Sequence, residues 1–284
     1  MPVQPQSTGT LFVVATPIGN LSDLSPRACE VFAQVALVAA EDTRHTGALL
    51  RHFGIDKPLI SLHEHNESTR LAEVIARLQA GDSVALASDA GTPLISDPGF
   101  SLVRAAIEHG VRVVPLPGPC AAIAALSIAG LPTDRFVFEG FLPIKSTQRR
   151  ERLTNLSAES RTLIFYEAPH RLEDTLSDMA IVLGARQLVV ARELTKQFES
   201  VYRGTAVELA QRVQEDQDMK RGELVILVAG EVGLQQTTFD ADNVLRVLLA
   251  DLAPAQAAKM AARITGATRD DLYQRAIFLS AQKG

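Results

Sequence analysis

Residues that could do chemistry are concentrated in five short segments of the first 119 residues. Each segment is polar or rich in glycine and proline, and each follows an apolar run that predicts a β-strand. Ligands of an open α/β sheet bind at the carboxyl ends of its strands, so these segments are the candidate site loops. They are Thr16-Pro17-Ile18-Gly19-Asn20, Glu41-Asp42-Thr43-Arg44, His63-Glu64-His65-Asn66-Glu67, Ser88-Asp89-Ala90-Gly91-Thr92-Pro93 and Pro117-Gly118-Pro119-Cys120.

Several common catalytic patterns are missing from these segments. The chain has no G-x-x-x-x-G-K-S/T phosphate loop, a single glycine in the first loop where a dinucleotide site has three, and no G-x-S-x-G nucleophile turn. His63, His65 and Glu67 share one face of an extended segment and could suit a metal. At a strand-to-helix junction such side chains more often cap the helix or line a pocket, so we predict no metal site.

The segment from Ser88 to Gly99, SDAGTPLISDPG, is the most specific of the five. Two consecutive turns would explain its glycines and prolines but not its length. Gly91 and Gly99 permit close backbone approach or a positive φ. Asp89, at the end of a predicted strand, could accept hydrogen bonds from a ribose or an amine. The segment therefore predicts a rigid pocket wall.

The elements that position these loops alternate between strand and helix. Ser25-Pro26 predicts a helix start, and Gly54, Gly81 and Gly110 stand where helices should end. This alternation, with strands that are apolar on both faces, predicts an α/β fold with a mostly parallel sheet covered by helices. The predicted strands are Thr10–Thr16, Val35–Ala40, Pro58–Leu62, Ser83–Ser88 and Val111–Leu116.

A second sheet is predicted beyond residue 132. Two of its strands are separated by about eight residues around Thr195, which is too short for a helical crossover, so this sheet should be mixed. Its strands are Phe136–Phe141, Thr162–Tyr166, Gln187–Ala191, Ser200–Gly204 and Glu223–Ala229.

The last 45 residues show no strand pattern. They predict three short helices, Asp242–Asp251, Pro254–Ile264 and Arg269–Ser280, which fit a helix-turn-helix or a plain helical cap. The predicted domains are thus residues 1–119, 120–236 and 237–284.

Composition limits the classes of function. The 284 residues are 46% hydrophobic and 21% charged, which excludes a disordered or collagen-like chain. A net charge of -5, 5% aromatic residues and no tryptophan disfavour a general nucleic-acid binder. Two isolated cysteines are too few for a disulfide framework and favour a reducing cytoplasm. No apolar run is long enough to predict a membrane span.

Six longer motifs carry a resemblance to a known family. They are TPIGNLSDLSPRA, AAEDTRHT, SLHEHNE, SDAGTPLISDPG, PGPCAAIAALSIAGLPTDRFVFEGFLP and FYEAPHR. Over residues 9–229 the chain resembles the tetrapyrrole methylase superfamily, and within it the bacterial rRNA ribose methyltransferases. Its last helices look like the small helical domain of that branch. Ser88-Asp89-Ala90 stands where the superfamily usually has Gly-Asp-Pro, which matches the rRNA branch rather than the corrin branch.

The resemblance implies a two-domain methylase that binds S-adenosylmethionine between its domains, as a homodimer. It implies 2′-O-methylation of a cytidine ribose in the 16S rRNA of the small ribosomal subunit. The residues implied as cofactor contacts are Pro17, Gly19, Asp89, Gly91, Thr92, Pro93, Cys120 and Ala121 from the first domain, and Tyr166 and Gly222 from the second.

The implied chemistry is methyl transfer from a sulfonium to a ribose oxygen. Positioning supplies much of the rate, but the 2′-hydroxyl must still lose its proton. We expect Asp42 or Glu64 to assist, although either could instead cap a helix or form an ion pair. The other acidic candidates are Glu41 and Glu167.

Contacts to RNA require local positive charge. The run KSTQRRER, from Lys145 to Arg152, holds four basic residues and one acidic residue. It is either a solvated helix face or a phosphate-binding patch, and the candidate rRNA contacts are Arg44, Lys145, Arg149 and Arg150.

Two alternatives remain open from the sequence. One is methylation of a tetrapyrrole or a protein side chain by the same fold. The other is a ligand-sensing regulator that binds nucleic acid through its last helices.

Overall fold

The computed structural model describes residues 8–63, 67–231 and 241–281. The chain divides into two compact units, Met1–Gly230 and Glu231–Gly284. Both predicted sheets belong to the first unit, so the boundary expected at residue 119 stays a prediction. No helix within these ranges is long and apolar enough to cross a membrane.

Five parallel strands form the first sheet, in the order β3-β2-β4-β1-β5. Every residue of β2 and β4 is buried, because helices cover both faces. The predicted parallel sheet is therefore confirmed. Its elements are β1 (Thr10–Val14), α1 (Pro26–Gln34), β2 (Leu37–Ala40), α2 (Thr43–His52), β3 (Leu59–Ser61), α3 (Glu67–Gln79), β4 (Val84–Ala87), α4 (Phe100–Glu108) and β5 (Arg112–Leu116).

The predicted helix boundaries of this half have the expected caps. Ser25 Oγ accepts a hydrogen bond from the Ala28 N–H at 3.1 Å, and Pro26 takes the first helical position. Gly54, Gly81 and Gly110 all have positive φ just beyond helix ends.

The chain reverses its direction across the first sheet between two adjacent strands. From β1 it moves toward one edge, to β2, and from the neighbouring β4 it moves toward the other edge, to β5. Such a switch point leaves a crevice at the carboxyl ends of the two strands. The loops that follow β1 and β4 border this crevice.

The second sheet is mixed, as the short spacing around Thr195 predicts. Its strand order is β6-β7-β10-β8-β9, with β6 and β7 parallel and the other pairs antiparallel. The elements are α5 (Ala121–Ala129), β6 (Phe136–Phe141), α6 (Ser146–Asn155), β7 (Thr162–Glu167), α7 (Leu172–Leu183), β8 (Gln187–Arg192), β9 (Ser200–Thr205), α8 (Ala206–Glu215) and β10 (Leu224–Val228).

Helix α5 connects the two halves of the first unit. It follows the first sheet in the chain, yet its small residues pack on the second: Ala122 and Ala125 share a core cluster with Ile164 and Leu227. Ile18, from the loop after β1, belongs to the same cluster. The crevice of the first sheet is thereby closed on one side by the second.

The Glu231–Gly284 unit contains the three predicted helices. They are α9 (Ala241–Leu248), α10 (Pro254–Thr265) and α11 (Arg269–Ala281), packed around Leu245, Ala261 and Leu272. Gly266, at φ 73°, ends α10 in the left-handed conformation.

Candidate active site

The loops that follow β1, β4 and β5 are joined into one wall. Thr16 and Gly91 exchange two backbone hydrogen bonds, of 2.9 and 3.1 Å. The Thr92 hydroxyl donates to the Pro119 carbonyl at 2.9 Å. Gly91 has a φ of 87°, and an added Cβ would lie 3.3 Å from the Ile18 side chain. This position therefore requires glycine both for its conformation and for the close approach.

Carboxylates tie the loop after β2 to the loop after β4. The Asp42 N–H donates to Asp89 Oδ1 at 3.0 Å, and the Asp89 N–H donates to Glu41 Oε2 at 3.3 Å. Asp89 therefore holds the start of α2 in place, whatever else it contacts.

Asp42 has the structural role that the sequence left open. Its Oδ1 accepts from the Arg44 N–H at 2.8 Å as the cap of α2, and its carboxylate pairs with the Arg44 guanidinium. The hydrogen bonds from Arg44 hold the pKa of Asp42 well below its usual range. A carboxylate with so low a pKa is a weak proton acceptor. Glu64, the other expected acceptor, lies outside the described residues.

The first cavity lies at the switch point and has a volume of about 370 Å³. It is lined by the loop after β4, by Ala121, and by β7, β8 and β10 of the second sheet. Most of this lining is apolar. Asp97 is one of its titratable groups: burial raises the pKa of Asp97 to about 6, and the nearby charges of Glu41 and Asp89 add to the effect.

Tyr166 of β7 lines this cavity and contacts the start of α5. Its hydroxyl accepts a hydrogen bond from the Ala122 N–H at 3.2 Å, at the start of α5. Its ring packs edge-on against Phe138 and Phe141, with centroids 5.0 and 5.7 Å away. Burial and neighbouring Cys120 raise the pKa of Tyr166, so its hydroxyl stays protonated.

A second cavity, of about 440 Å³, adjoins the first. Pro17, Gly19 and Asp89 line it from the loops, and His45 and His52 line it from α2. Lys196 and Glu223 complete it from the second sheet. Ile18, Ala90 and Glu223 line both cavities.

Lys196 connects the two halves across this second cavity. Its Nζ lies 2.9 Å from Glu193 Oε1 and 3.1 Å from Glu223 Oε2. Burial opposes its charge, but these two carboxylates prevail and raise the pKa of Lys196. Its stem crosses Gly19, where an added Cβ would lie 2.3 Å from Lys196 Cγ. Gly19 therefore makes room for the lysine.

Backbone strain is concentrated in the two loops that face these cavities. Leu94 and Ser96 have φ of 74° and 66° in the loop after β4, and Glu193 and Thr195 have φ of 50° and 66° in the loop after β8. Left-handed non-glycine residues of this kind cluster at functional sites.

The expected cofactor residues divide between the cavities. Gly91, Thr92, Ala121, Tyr166 and Gly222 line the first cavity. Pro17, Gly19 and Asp89 line the second. Pro93 and Cys120 line neither, and Cys120 stands at the start of α5.

Sequence reasoning missed two residues near the second cavity, Lys196 and Glu193. They lie outside the loops of the first sheet, where the search was concentrated. The short connection between β8 and β9, on which they lie, is the feature of the sequence that could have indicated them.

One predicted RNA contact is corrected. Arg149 is 3% exposed, and its Nε donates to Asp178 Oδ2 at 2.6 Å, so it stabilises the interior rather than facing a phosphate. Arg150 also bonds Asp178 but remains 47% exposed, and Lys145 is exposed. Arg44, the second residue of α2, is 90% exposed.

Glu167 is also structural. It is buried, accepts from the Thr175 hydroxyl at 2.6 Å, and pairs with Arg171 at 3.1 Å. No cluster of three potential metal ligands occurs in the described part of the chain.

Comparison with known proteins identifies the family. Residues 10–210 match the profile of the Tetrapyrrole (Corrin/Porphyrin) Methylases. The chain belongs to the tetrapyrrole methylases. Residues 236–280 of this methylase match the RsmI C-terminal HTH domain, in agreement with one of the two interpretations of the last helices.

Curated relatives cover nearly the full methylase chain. The protein is 58% identical over 275 residues to the Ribosomal RNA small subunit methyltransferase I of Pseudomonas aeruginosa, covering 95% of this chain and 98% of that one. It is 53% identical over 273 residues to the protein of the same name from Escherichia coli O157:H7, covering 95% and 96%.

Solved structures support the fold. A diphthine synthase superimposes with a TM-score of 0.60 at 15% identity, over 78% of this chain and 90% of that one. The methyltransferase CobJ gives 0.58 at 19% identity, over 80% and 98%. A uroporphyrin-III C-methyl transferase from Thermus thermophilus, complexed with S-adenyl homocysteine, gives 0.53 at 18% identity, over 77% and 97%.

Proposed function

We propose that this methylase transfers the methyl group of S-adenosylmethionine to the ribose 2′-oxygen of a cytidine in the 16S rRNA of the small ribosomal subunit. The observation that carries the proposal is the 58% identity to a small-subunit rRNA methyltransferase along 95% of the chain. The six motifs that resemble the rRNA branch support the choice of ribose and cytidine.

The first cavity fits S-adenosylmethionine. Its volume of about 370 Å³ suits a ligand of that size, and its apolar lining suits an adenosyl group. The absent Gly91 side chain leaves the backbone of the loop after β4 open to the ligand. Asp97 supplies negative charge to the cavity, which favours a sulfonium. When bound, the cofactor supplies an activated methyl group.

The chain's own residues then orient the donor and exclude water. Thr92 is fixed by its bond to Pro119 and Tyr166 by its bond to Ala122, so both walls are rigid before any ligand arrives. Rigid positioning of this kind can supply much of the rate of a group transfer.

Exposed basic side chains are the proposed rRNA contacts. Lys145 is the N-cap residue of α6 and Arg150 lies on that helix, and Arg44 lies at the start of α2, one residue before His45 of the second cavity. Arg150 is partly neutralised by Asp178, and Arg44 by Asp42. Binding should therefore depend on the shape of a folded ribosomal surface as well as on charge.

We also propose a homodimer in the cytoplasm. Exposed apolar side chains on α4 and α5, among them Phe100, Ile107 and Ile123, support a protein partner. Free Cys29 and Cys120 suit a reducing compartment. Light scattering coupled to size-exclusion chromatography measures the assembly.

The decisive experiment is methyl transfer from labelled S-adenosylmethionine to three substrates: unmodified small subunits, free 16S rRNA and a tetrapyrrole. We expect transfer to the subunits, and mass spectrometry should place the methyl group on a cytidine ribose. Transfer to the tetrapyrrole alone would establish the alternative methylase, and binding of nucleic acid without any transfer would establish a regulator.

A further inference from the structure

Methyl transfer requires a donor and an acceptor that meet, and the two cavities of this chain share a wall at which they can. Ile18, Ala90 and Glu223 line both cavities. This inference rests on the proposed function, which assigns the donor to the first cavity. The second cavity, of about 440 Å³, then adjoins the cavity of the donor.

The second cavity offers hydrogen-bonding groups that suit a nucleotide. The imidazoles of His45 and His52 and the ammonium of Lys196 line it, and the exposed Arg44 stands one residue from His45. These groups can bond a base edge, a ribose hydroxyl or a phosphate. The first cavity has no basic side chain among its lining residues in the described structure.

Glu223 is the member of the shared wall that can accept a proton. Ile18 and Ala90 contribute aliphatic groups, whereas Glu223 contributes a carboxylate with a side chain that is 70% exposed. The proton of the acceptor hydroxyl leaves from the same oxygen that takes the methyl group. A base that serves this oxygen must therefore stand where donor and acceptor meet.

We propose that the second cavity binds the target nucleotide and that Glu223 is the catalytic residue that accepts the proton of its ribose 2′-hydroxyl. A lone pair of the 2′-oxygen forms the new O–C bond while the C–S bond breaks and leaves its electron pair on sulfur. The O–H proton passes to the Glu223 carboxylate and then to water. The products are a 2′-O-methyl ribose, a neutral thioether and one proton.

Lys196 is the positioning residue for this carboxylate. Its ammonium bonds both Glu223 Oε2 and Glu193 Oε1, while Glu193 Oε1 also accepts from the Glu223 N–H at 2.9 Å. The Glu193 N–H in turn donates to the Glu223 carbonyl at 2.9 Å. Both the backbone and the side chain of Glu223 are thus held at the shared wall.

The other acidic groups near the two cavities take part in other hydrogen bonds and ion pairs. Glu41 and Asp89 bond backbone N–H groups, and Glu167 is buried with Arg171. Asp97 is the rival base, but it lines the first cavity alone. The ionisable groups that line the cavities with Glu223 are Lys196, Asp89, His45 and His52 in the second, and Asp97, Glu167 and Tyr166 in the first. Glu193 contacts Glu223 through its backbone N–H and through Lys196.

The test compares Glu223→Gln, Glu223→Asp and Asp97→Asn with wild type in single-turnover methylation of unmodified small subunits. Glu215→Gln, on the exposed end of α8, is the matched control. We expect Glu223→Gln to lower the saturating single-turnover rate by about 100-fold or more, as loss of a general base does, with the half-saturating concentrations of both substrates within about threefold of wild type. Glu223→Asp should retain an intermediate rate.

The pH profile separates a base from a structural role. The wild-type rate should show no hydroxide dependence between about pH 6.5 and 8.5, because a side-chain base is present. The Glu223→Gln rate should rise with pH, by about tenfold per unit, as hydroxide replaces the missing base. A Glu223→Gln rate within threefold of the Glu215→Gln control would overturn the proposal, as would loss of rate with this pH slope in Asp97→Asn instead. An inactive wild type would refute the proposed function itself.

Discussion

At the scale of the residue, the charge of Asp97 has opposite effects on ligand binding and on stability. It favours a bound sulfonium but destabilises the folded protein. Asp97 is partly buried among other carboxylates, so its ionised form is disfavoured in the native state. Its pKa of about 6 compares with about 3.9 in an unfolded chain. The folded protein therefore binds more protons than the unfolded protein between these values, and its stability falls as pH rises through them.

Asp97→Asn should remove this penalty. We expect the variant to be more stable than wild type at pH 8, by about 1 kcal/mol after allowance for solvent screening, with no gain at pH 4. Urea unfolding at both pH values measures the difference. Equal stabilities at pH 8 would show that Asp97 ionises without cost.

Arg149 and Arg150 are adjacent in sequence but differ in environment. Both bond Asp178, yet Arg149 is 3% exposed and Arg150 is 47% exposed. Breaking a fully buried ion pair costs about 3–5 kcal/mol, and after loss of Arg149 the buried Asp178 keeps only the half-exposed Arg150 as an ion-pair partner, which offsets part of that cost. Loss of a half-exposed partner costs about 1 kcal/mol or less.

We therefore expect Arg149→Met to lower the free energy of unfolding by several times as much as Arg150→Met. Arg150→Met should instead weaken binding to small subunits. Chemical denaturation and filter binding of both proteins measure the two effects. Similar losses of stability would contradict the burial assigned to Arg149.

At the scale of the element, Lys196 and Gly19 act together. The lysine stem occupies the space that a side chain at position 19 would fill. Through this contact the loop after β1 fixes the loop after β8, although the two belong to different sheets. The sequence places these residues 177 positions apart, and nothing in a local pattern connects them.

This contact predicts non-additive substitutions. Gly19→Val should displace Lys196 and lower kcat, as Lys196→Met should, and the double variant should lose little more than either alone. Single-turnover rates of the wild type, the two single variants and the double variant give a double-mutant cycle. Multiplicative losses would show that the two residues act independently.

At the scale of the whole molecule, the pattern of the chain predicted the architecture but only part of the site. Strands such as β6 (Phe136–Phe141) were predicted to the residue, because alternation of apolar runs and turn residues is local information. The loops Thr16–Asn20 and Ser88–Pro93 were identified as candidate site loops because ligands of a parallel sheet bind at the carboxyl ends of its strands. The role of Lys196 and the burial of Arg149 were not predicted, because both depend on contacts between elements that are distant in sequence.

The division into two compact units predicts separable activities. A chain ending at Gly230 keeps both sheets and both cavities, so it should still bind S-adenosylmethionine in calorimetry. It should lose affinity for small subunits if the helix-turn-helix unit contributes to RNA binding. Loss of cofactor binding on truncation would contradict the autonomy of the first unit.

The last strand in the chain order of the first unit, β10, lies in the middle of the second sheet, between β7 and β8. During synthesis from the amino terminus, β7 can pair with β6 and β8 with β9, but these two pairs cannot join into one sheet until residues 224–228 have emerged. Glu223 immediately precedes β10 in the chain and lies at the wall that the two cavities share. On the proposed role of Glu223, a chain that ends before residue 223 lacks both the strand that joins the second sheet and the proton acceptor, so we expect it to be inactive.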